Sequence, residues 1–327
     1  MIWDTLKGKI LFVFSDPAGA KAILALFCYL KRKLLLSSEL IVSDREYNFF
    51  SDFGADVMFY RENDEKQLVS SFQPDWVVTG TSYTSKIELR FMAEATRSNI
   101  KTIAFIDHWT NFSLRFQRNE RQVLPDQIWV IDGEAKKMAS AEGLPQDKII
   151  VASNPYYDFL KNWRPVISKE VFYESTGIPS NVKVILYAPE PLSQVNGKER
   201  FGFDELDVLE RIITEMPEHF WSDKRNYLLI KLHPNQIEGP VEAVVNKHIQ
   251  SRNIKILERN VHTNTLIAYS DTVLGIFSNL LLEARILGIK VFRFLPFPVK
   301  EDILRSEKDQ LPVIKDLSVL FDKEYAR

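Results

Sequence analysis

Lys9-Ile-Leu-Phe-Val-Phe14, then Ser15-Asp-Pro-Ala-Gly-Ala-Lys21, then Ala22-Ile-Leu-Ala-Leu-Phe-Cys-Tyr-Leu30 is the stretch that decides the fold. Five consecutive apolar residues leave no polar face for solvent. Such a run is a strand buried on both sides, as in a parallel sheet covered by helices. The small and polar residues after it turn the chain, and apolar spacing over 18–36 then reads as a helix. A strand passing through a short loop into a helix is the first half of a βαβ crossover.

Outward from that stretch the alternation repeats. Residues 40–43, 56–60, 74–79, 101–106, 127–131 and 149–152 read as strands, with a helix over 86–98. After Lys161-Asn-Trp-Arg-Pro165 the pattern restarts. Strands are expected over 182–188, 227–232, 254–257, 272–275 and 290–294, and helices over 203–216, 241–251, 262–269 and 279–287. The fold class expected is α/β: two tandem Rossmann-like domains facing across a cleft, 1–163 on the acceptor side and 164–327 on the nucleotide-donor side. Residues 163–165 would serve as the hinge, and a last helix within 300–327 would pack back on the first domain. Glu301 and Asp302 are expected at its solvated start.

Composition narrows the function. The chain has 327 residues, with Lys+Arg 42 against Asp+Glu 44 and a net charge of −2. It therefore has no bulk basic field, and nucleic acid is not an expected partner. One cysteine, Cys28, excludes an internal disulfide and a cysteine-based zinc site. It lies in an apolar run and reads as a small buried hydrophobe. Lys31-Arg32-Lys33 follow the apolar run 22–30, the reverse of the order in a secretion signal. No run reaches the ~18 apolar residues of a membrane span. A cytoplasmic protein is expected, with peripheral association at the inner face of a membrane left open.

In open parallel sheets, ligands bind beyond the carboxyl ends of the strands, and four post-strand segments carry chemistry-bearing residues. In the first, Asp16 or Ser15 can cap the following helix while Gly19 lets a ligand approach. A plain cap would look the same. The segment has neither GxGxxG nor a GK[ST] phosphate loop. The second, Ile106-Asp-His-Trp-Thr-Asn-Phe-Ser-Leu-Arg-Phe116, sets an acid beside an imidazole. Either Asp107 or His108 could act as general base, with Asp16 as a further candidate, and Trp109, Asn111 and Arg115 would bind the acceptor.

The third, Leu229-Ile-Lys-Leu-His-Pro-Asn-Gln236, puts Lys231 and His233 on one face of a strand end that Pro234 stops. A cation beside an imidazole suits a phosphate. In the fourth, Phe277-Ser278-Asn279 opens a helix whose free N–H groups would cradle phosphate, and Glu283 lies one turn on. Glu190, after the first strand of the second half, is a candidate acceptor for a nucleotide hydroxyl. No acidic metal-binding DxD motif occurs, and no metal or other cofactor is expected.

Lys231-Leu-His-Pro234, Tyr269-Ser-Asp271, and Ser278 through Glu283-Ala284 and Leu287-Gly288 resemble segments of GT-B glycosyltransferases. They are similar to those of CDP-glycerol glycerophosphotransferases, bacterial sialyltransferases and Kdo transferases. The UDP-N-acetylglucosamine 2-epimerases share the same overall architecture. The resemblance covers the second half by motif and the first half by organisation only. It implies that the His-Pro pair and the downstream serine hold the phosphate of a CMP- or CDP-activated donor. The sialyltransferase base motif has no counterpart, since Asp132-Gly133-Glu134 has a different order.

The expectation is a metal-independent, inverting glycosyltransferase of surface-polysaccharide or glycoconjugate synthesis. Its donor would be a nucleotide-activated sugar, CMP-linked ahead of UDP-linked, and its acceptor a saccharide or a lipid-linked one. The alternatives are an enzyme like the UDP-N-acetylglucosamine 2-epimerases, or a non-catalytic two-lobed nucleotide-sugar-binding protein.

Overall fold

The computed structural model describes residues 1–119, 121–248, 252–304 and 311–321. The chain divides into two compact units, Met1–Asn162 and Trp163–Arg327.

The first unit runs β1 (Gly8–Phe14), α1 (Pro17–Arg32), β2 (Leu36–Ser43), β3 (Met58–Phe59), α2 (Glu65–Phe72), β4 (Trp76–Thr79), α3 (Ile87–Arg97) and β5 (Lys101–Ile106). It continues through a small hairpin, β6 (Gln117–Arg118) and β7 (Arg121–Gln122), to β8 (Gln127–Val130), α4 (Gly133–Ala141), β9 (Ile149–Val151) and α5 (Pro155–Asn162). Seven strands form one parallel sheet in the order β3-β2-β1-β4-β5-β8-β9.

The second unit runs α6 (Lys169–Ser175), β10 (Lys183–Tyr187), α7 (Gly197–Arg200), α8 (Glu205–Glu215), α9 (Glu218–Ser222), β11 (Asn226–Lys231), α10 (Pro240–Asn246) and β12 (Ile254–Leu257). It ends with α11 (Thr263–Tyr269), β13 (Thr272–Gly275), α12 (Asn279–Ile286), β14 (Lys290–Phe294) and β15 (Val313–Ile314). Its parallel sheet has the order β12-β11-β10-β13-β14-β15.

Both sheets therefore build outward from their first strand and reverse direction between the first and fourth. This is the strand order of a Rossmann unit, and the crevice between those strands' following loops is where such units bind ligands. In the first unit the crevice lies after β1 and β4, and in the second after β10 and β13.

Burial follows the sequence pattern. Residues 10–14 of β1 are fully buried. On one sheet face Leu11, Val13, Val42 and Val77 pack against Ile87, Phe91 and Ala95 of α3. Burying each large side chain contributes about 1.5–3 kcal/mol.

Some boundaries differ from the sequence reading. The helix expected over 18–36 stops at Arg32, because Leu34 adopts a left-handed φ of 56° with its side chain in solvent, and β2 starts at Leu36. No helix starts at Glu301 and Asp302. Both carboxylates are claimed by arginines instead: Arg200 grips Glu301 through two nitrogens at 2.7 and 2.8 Å, and Arg293 holds Asp302 at 2.8 Å. Residues 311–321 hold β15 and a 3₁₀ turn, Leu317–Leu320. The rest of the expected terminal helix falls on 305–310 and 322–327, outside the described residues.

Candidate functional site

At the carboxyl edge of the first sheet, Asp16 occupies the N-cap position of α1 but makes no side-chain cap. Its carboxyl meets the Ser82 hydroxyl instead. Burial raises its pKa, and the Asp107 charge adds to the rise. The Ser82 bond, Arg115 and Arg45 oppose it. Tyr47 closes over the same loop, its hydroxyl donating to the Ser15 carbonyl at 2.6 Å.

The segment after β5 is turned inward by one residue, Arg115. It is 6% exposed, and its guanidinium donates to the Thr81 carbonyl at 3.0 Å, the Thr81 hydroxyl at 3.1 Å, Asp107 at 3.4 Å and the Thr110 carbonyl at 3.4 Å. Arg115 thus ties the loop after β5 to the loop after β4. His108 sits beside this pair, its Nδ1 at 3.1 Å from the Thr110 hydroxyl. Burial lowers its pKa, outweighing Asp107, so the ring is neutral at physiological pH.

Trp109 is 1% exposed, and its indole N–H donates to Asp132 at 2.9 Å while the other Asp132 oxygen caps α4. Asn111 is exposed in a left-handed turn. The structure therefore brings Asp16, Asp107, His108 and Arg115 together. It sets Trp109 in the core and leaves Asn111 in solvent.

In the second unit the loops after β10, β11 and β13 hold the expected residues. Lys231 donates its ammonium to the carbonyls of Glu258 and Arg259. Burial first, and then the Arg259 charge, lowers its pKa to about 8. His233 accepts the Asn235 N–H on Nδ1 at 3.1 Å, which leaves the ring hydrogen on Nε2. Burial pushes its pKa down to about 4, so the ring is a neutral donor. Pro234 is exposed, its carbonyl taken by Arg259 at 2.9 Å.

Ser278 caps α12, its hydroxyl accepting the Leu280 N–H at 3.2 Å. Asn279 begins that helix, with a buried Oδ1 that has no hydrogen-bond partner among the described residues. Glu283 is buried on the same helix. Glu190 accepts the Phe277 N–H at 2.6 Å, just ahead of the helix start. Its carboxyl is pushed up to about 7 by burial, against the pull of that hydrogen bond and of Arg293.

Several residues escaped the sequence reading. Glu205 is fully buried and links Ser193, at 2.6 Å to its hydroxyl, with Gln236, at 2.9 Å. Glu88, on α3, is 2% exposed, and burial pushes its carboxyl up to about 8. One signal pointed to Glu88: at helical spacing it falls in line with Met92 and Ala95, both fully buried. A cavity of about 520 Å³ lined by Phe27, Lys31, Ile41, Gly54 and Met58 lies near the far end of α1, and none of the expected site residues lines it. Among the described residues no cluster of acids, histidines and cysteines could hold a metal ion, and no helix is long and apolar enough to cross a membrane.

No protein-family model and no curated protein sequence matches the chain. Solved structures do. A putative UDP-N-acetylglucosamine 2-epimerase from Listeria monocytogenes superposes with a TM-score of 0.66 at 15% identity, covering 98% of this chain and 89% of that one. The UDP-GlcNAc 2-epimerase from Neisseria meningitidis, bound to UDP-GlcNAc, gives 0.61 at 17% identity, covering 91% and 84%. Anabaena Alr3699/HepE in complex with UDP-glucose gives 0.62 at 12% identity, covering 94% and 85%.

These likenesses overturn the expectation of a CMP-sugar glycosyltransferase. The solved folds that the chain follows are mostly those of UDP-GlcNAc 2-epimerases, and the likeness to the CDP-glycerol and sialyltransferase group rests on short motifs alone. The two Rossmann-like units have a GT-B-like fold, similar to that of these epimerases.

Proposed function

We propose that the chain is an enzyme that binds a uridine-diphosphate sugar and inverts C2 of its N-acetylhexosamine. The observation that carries this reading is the pairing, on the first unit, of a carboxyl with a raised pKa (Asp16) and a half-buried neutral imidazole (His108) around one ion pair. Groups moved toward neutrality in this way suit proton transfer in both directions. The UDP-GlcNAc and UDP-glucose bound in the similar structures support a uridine nucleotide.

The chemistry sets the demands. The C2 hydrogen has no adjacent carbonyl to acidify it. It can leave if the C1–oxygen bond breaks with its electron pair going to the diphosphate, while the C2–hydrogen pair becomes a C1=C2 double bond. A base takes the proton. Return of the diphosphate to C1, with a proton delivered to the other face of C2, gives the epimer.

On this assignment the second unit holds UDP. His233 offers Nε2–H, and the start of α12 offers the Ser278 hydroxyl with the backbone N–H groups of Ser278 and Asn279. In the first unit Asp16 and His108 exchange protons with C2, while Arg115 holds Asp107 and the loop after β5 in place. Incubation with UDP-GlcNAc in D₂O tests the reading, with NMR following deuterium at C2 and formation of the manno epimer. Tight binding of UDP-GlcNAc with neither exchange nor epimer would overturn it.

A further inference from the structure

At the switch point of the first sheet, four buried polar atoms have no hydrogen-bond partner among the described residues: Ser15 Oγ, Thr79 Oγ1 and both carboxyl oxygens of Glu88. Ser15 and Thr79 are fully buried and Glu88 nearly so. They come from neighbouring elements. Thr79 stands in register with Val13, and Ser15 follows the end of β1 with its backbone N–H near the Glu88 carboxyl. Glu88 is in the first turn of α3, which packs on both β1 and β4.

The backbone N–H groups of Ser15 and of Glu88 itself come near this carboxyl, and among the described residues neither closes a well-directed bond. The charges that face it are negative: Asp16 at the head of α1, and Asp44 after β2, which accepts the Ser85 hydroxyl at 2.7 Å. Arg45 and Arg115 act on Asp16. A carboxylate in such surroundings is costly, so the group is a neutral acid. Buried polar atoms need partners, and a buried water supplies about three hydrogen bonds to such groups.

We propose that Glu88, Ser15 and Thr79 form a water-bridged acid site behind Asp16, in which Glu88 stores the proton that Asp16 exchanges with substrate. The relay rests on the proton-transfer role assigned to Asp16 above. When Asp16 gives its proton to C2, its carboxylate takes the Glu88 proton through the bridging water. The O–H bond of Glu88 breaks, that of Asp16 re-forms, and the charge sits on Glu88 only until the proton returns, because burial makes its carboxylate costly. When Asp16 receives a proton, the same path runs backward.

Carbon-13 NMR of side-chain carboxyls in the intact chain tests the site without substrate. Glu88, assigned by the signal that Glu88→Gln removes, should titrate near 8. Asp16→Asn should lower that midpoint by roughly half a unit or more, because it removes a neighbouring negative charge. A midpoint in the ordinary carboxyl range, or one that ignores Asp16→Asn, overturns the site.

The relay is tested by C2 exchange. Glu88→Gln keeps the shape but not the transferable proton. It should lower kcat by roughly 10–100-fold, with KM within about twofold. A raised midpoint with unchanged turnover overturns the relay. A chain that binds no UDP-sugar sinks the function proposed above, and the NMR titration still decides the acid site.

Discussion

Arg115→Met is the most informative single perturbation of the first unit. Arg115 and Asp107 have side chains only 6% and 8% exposed, and they face each other at 3.4 Å. The guanidinium also satisfies two Thr81 acceptors at 3.0 and 3.1 Å. Methionine fills similar space but leaves Asp107 as a buried, uncompensated charge. Removing one partner of such a pair costs about 3–5 kcal/mol, more than the pair is worth against an apolar replacement, because the remaining ion keeps its desolvation penalty. For a unit of 162 residues, at about 2–4 °C per kcal/mol, this is a loss of roughly 6–20 °C in melting temperature. Differential scanning calorimetry at neutral pH reads it directly. Asp107→Asn combined with Arg115→Met should recover much of the loss, since no charge is then stranded. A melting temperature within about 1 °C of the parent, or a double variant whose losses simply add, would refute the reasoning.

In the second unit, His233→Ala and Ser278→Ala should each weaken UDP binding by about 1.5–3 kcal/mol, roughly 10–100-fold, in calorimetric titrations. Unchanged affinity removes them from the site. His233 titrates near 4, so protonation of this ring should leave UDP affinity level between pH 5 and 8. An affinity that follows a step near 6.5, and loses it in His233→Ala, contradicts a neutral donor. Asp16→Asn and His108→Ala should keep UDP binding but slow C2 exchange by about 10²–10⁴-fold. Wild-type exchange rates in both would place the proton chemistry elsewhere. Glu88 and Glu190 are raised from 4.5 to about 8 and about 7. The stability each contributes is full below about 4.5 and is lost as pH rises through the folded value, by up to about 1.4 kcal/mol per pH unit. Urea midpoints measured from pH 5 to 8 should therefore fall less steeply in Glu88→Gln and Glu190→Gln than in the parent. Parallel curves would mean these carboxyls titrate normally.

The sequence by itself determined the two α/β units. Runs such as Ile10–Phe14 and Tyr227–Ile230 are apolar on both faces, and only a helix-covered parallel sheet hides both faces of a strand. It also pointed to the strand ends where Asp16, Asp107, His233 and Ser278 stand, because such sheets open only there. The tertiary structure alone decided what those residues do for one another. Trp109 looked like a binding residue in a polar loop, yet Asp132, 23 positions on, draws its indole into the core. Lys231 looked like a phosphate ligand at a strand end, yet carbonyls 27 and 28 positions away take its ammonium. Glu88 carried only its helical alignment with Met92 and Ala95 as a sign of burial. Its burial between α3 and the ends of β1 and β4 depends on contacts distant in sequence. A single chain's pattern of apolar and polar residues records how each element meets water. Protonation, pairing and desolvation are set by groups that only folding brings together, and those groups leave no local mark in the sequence.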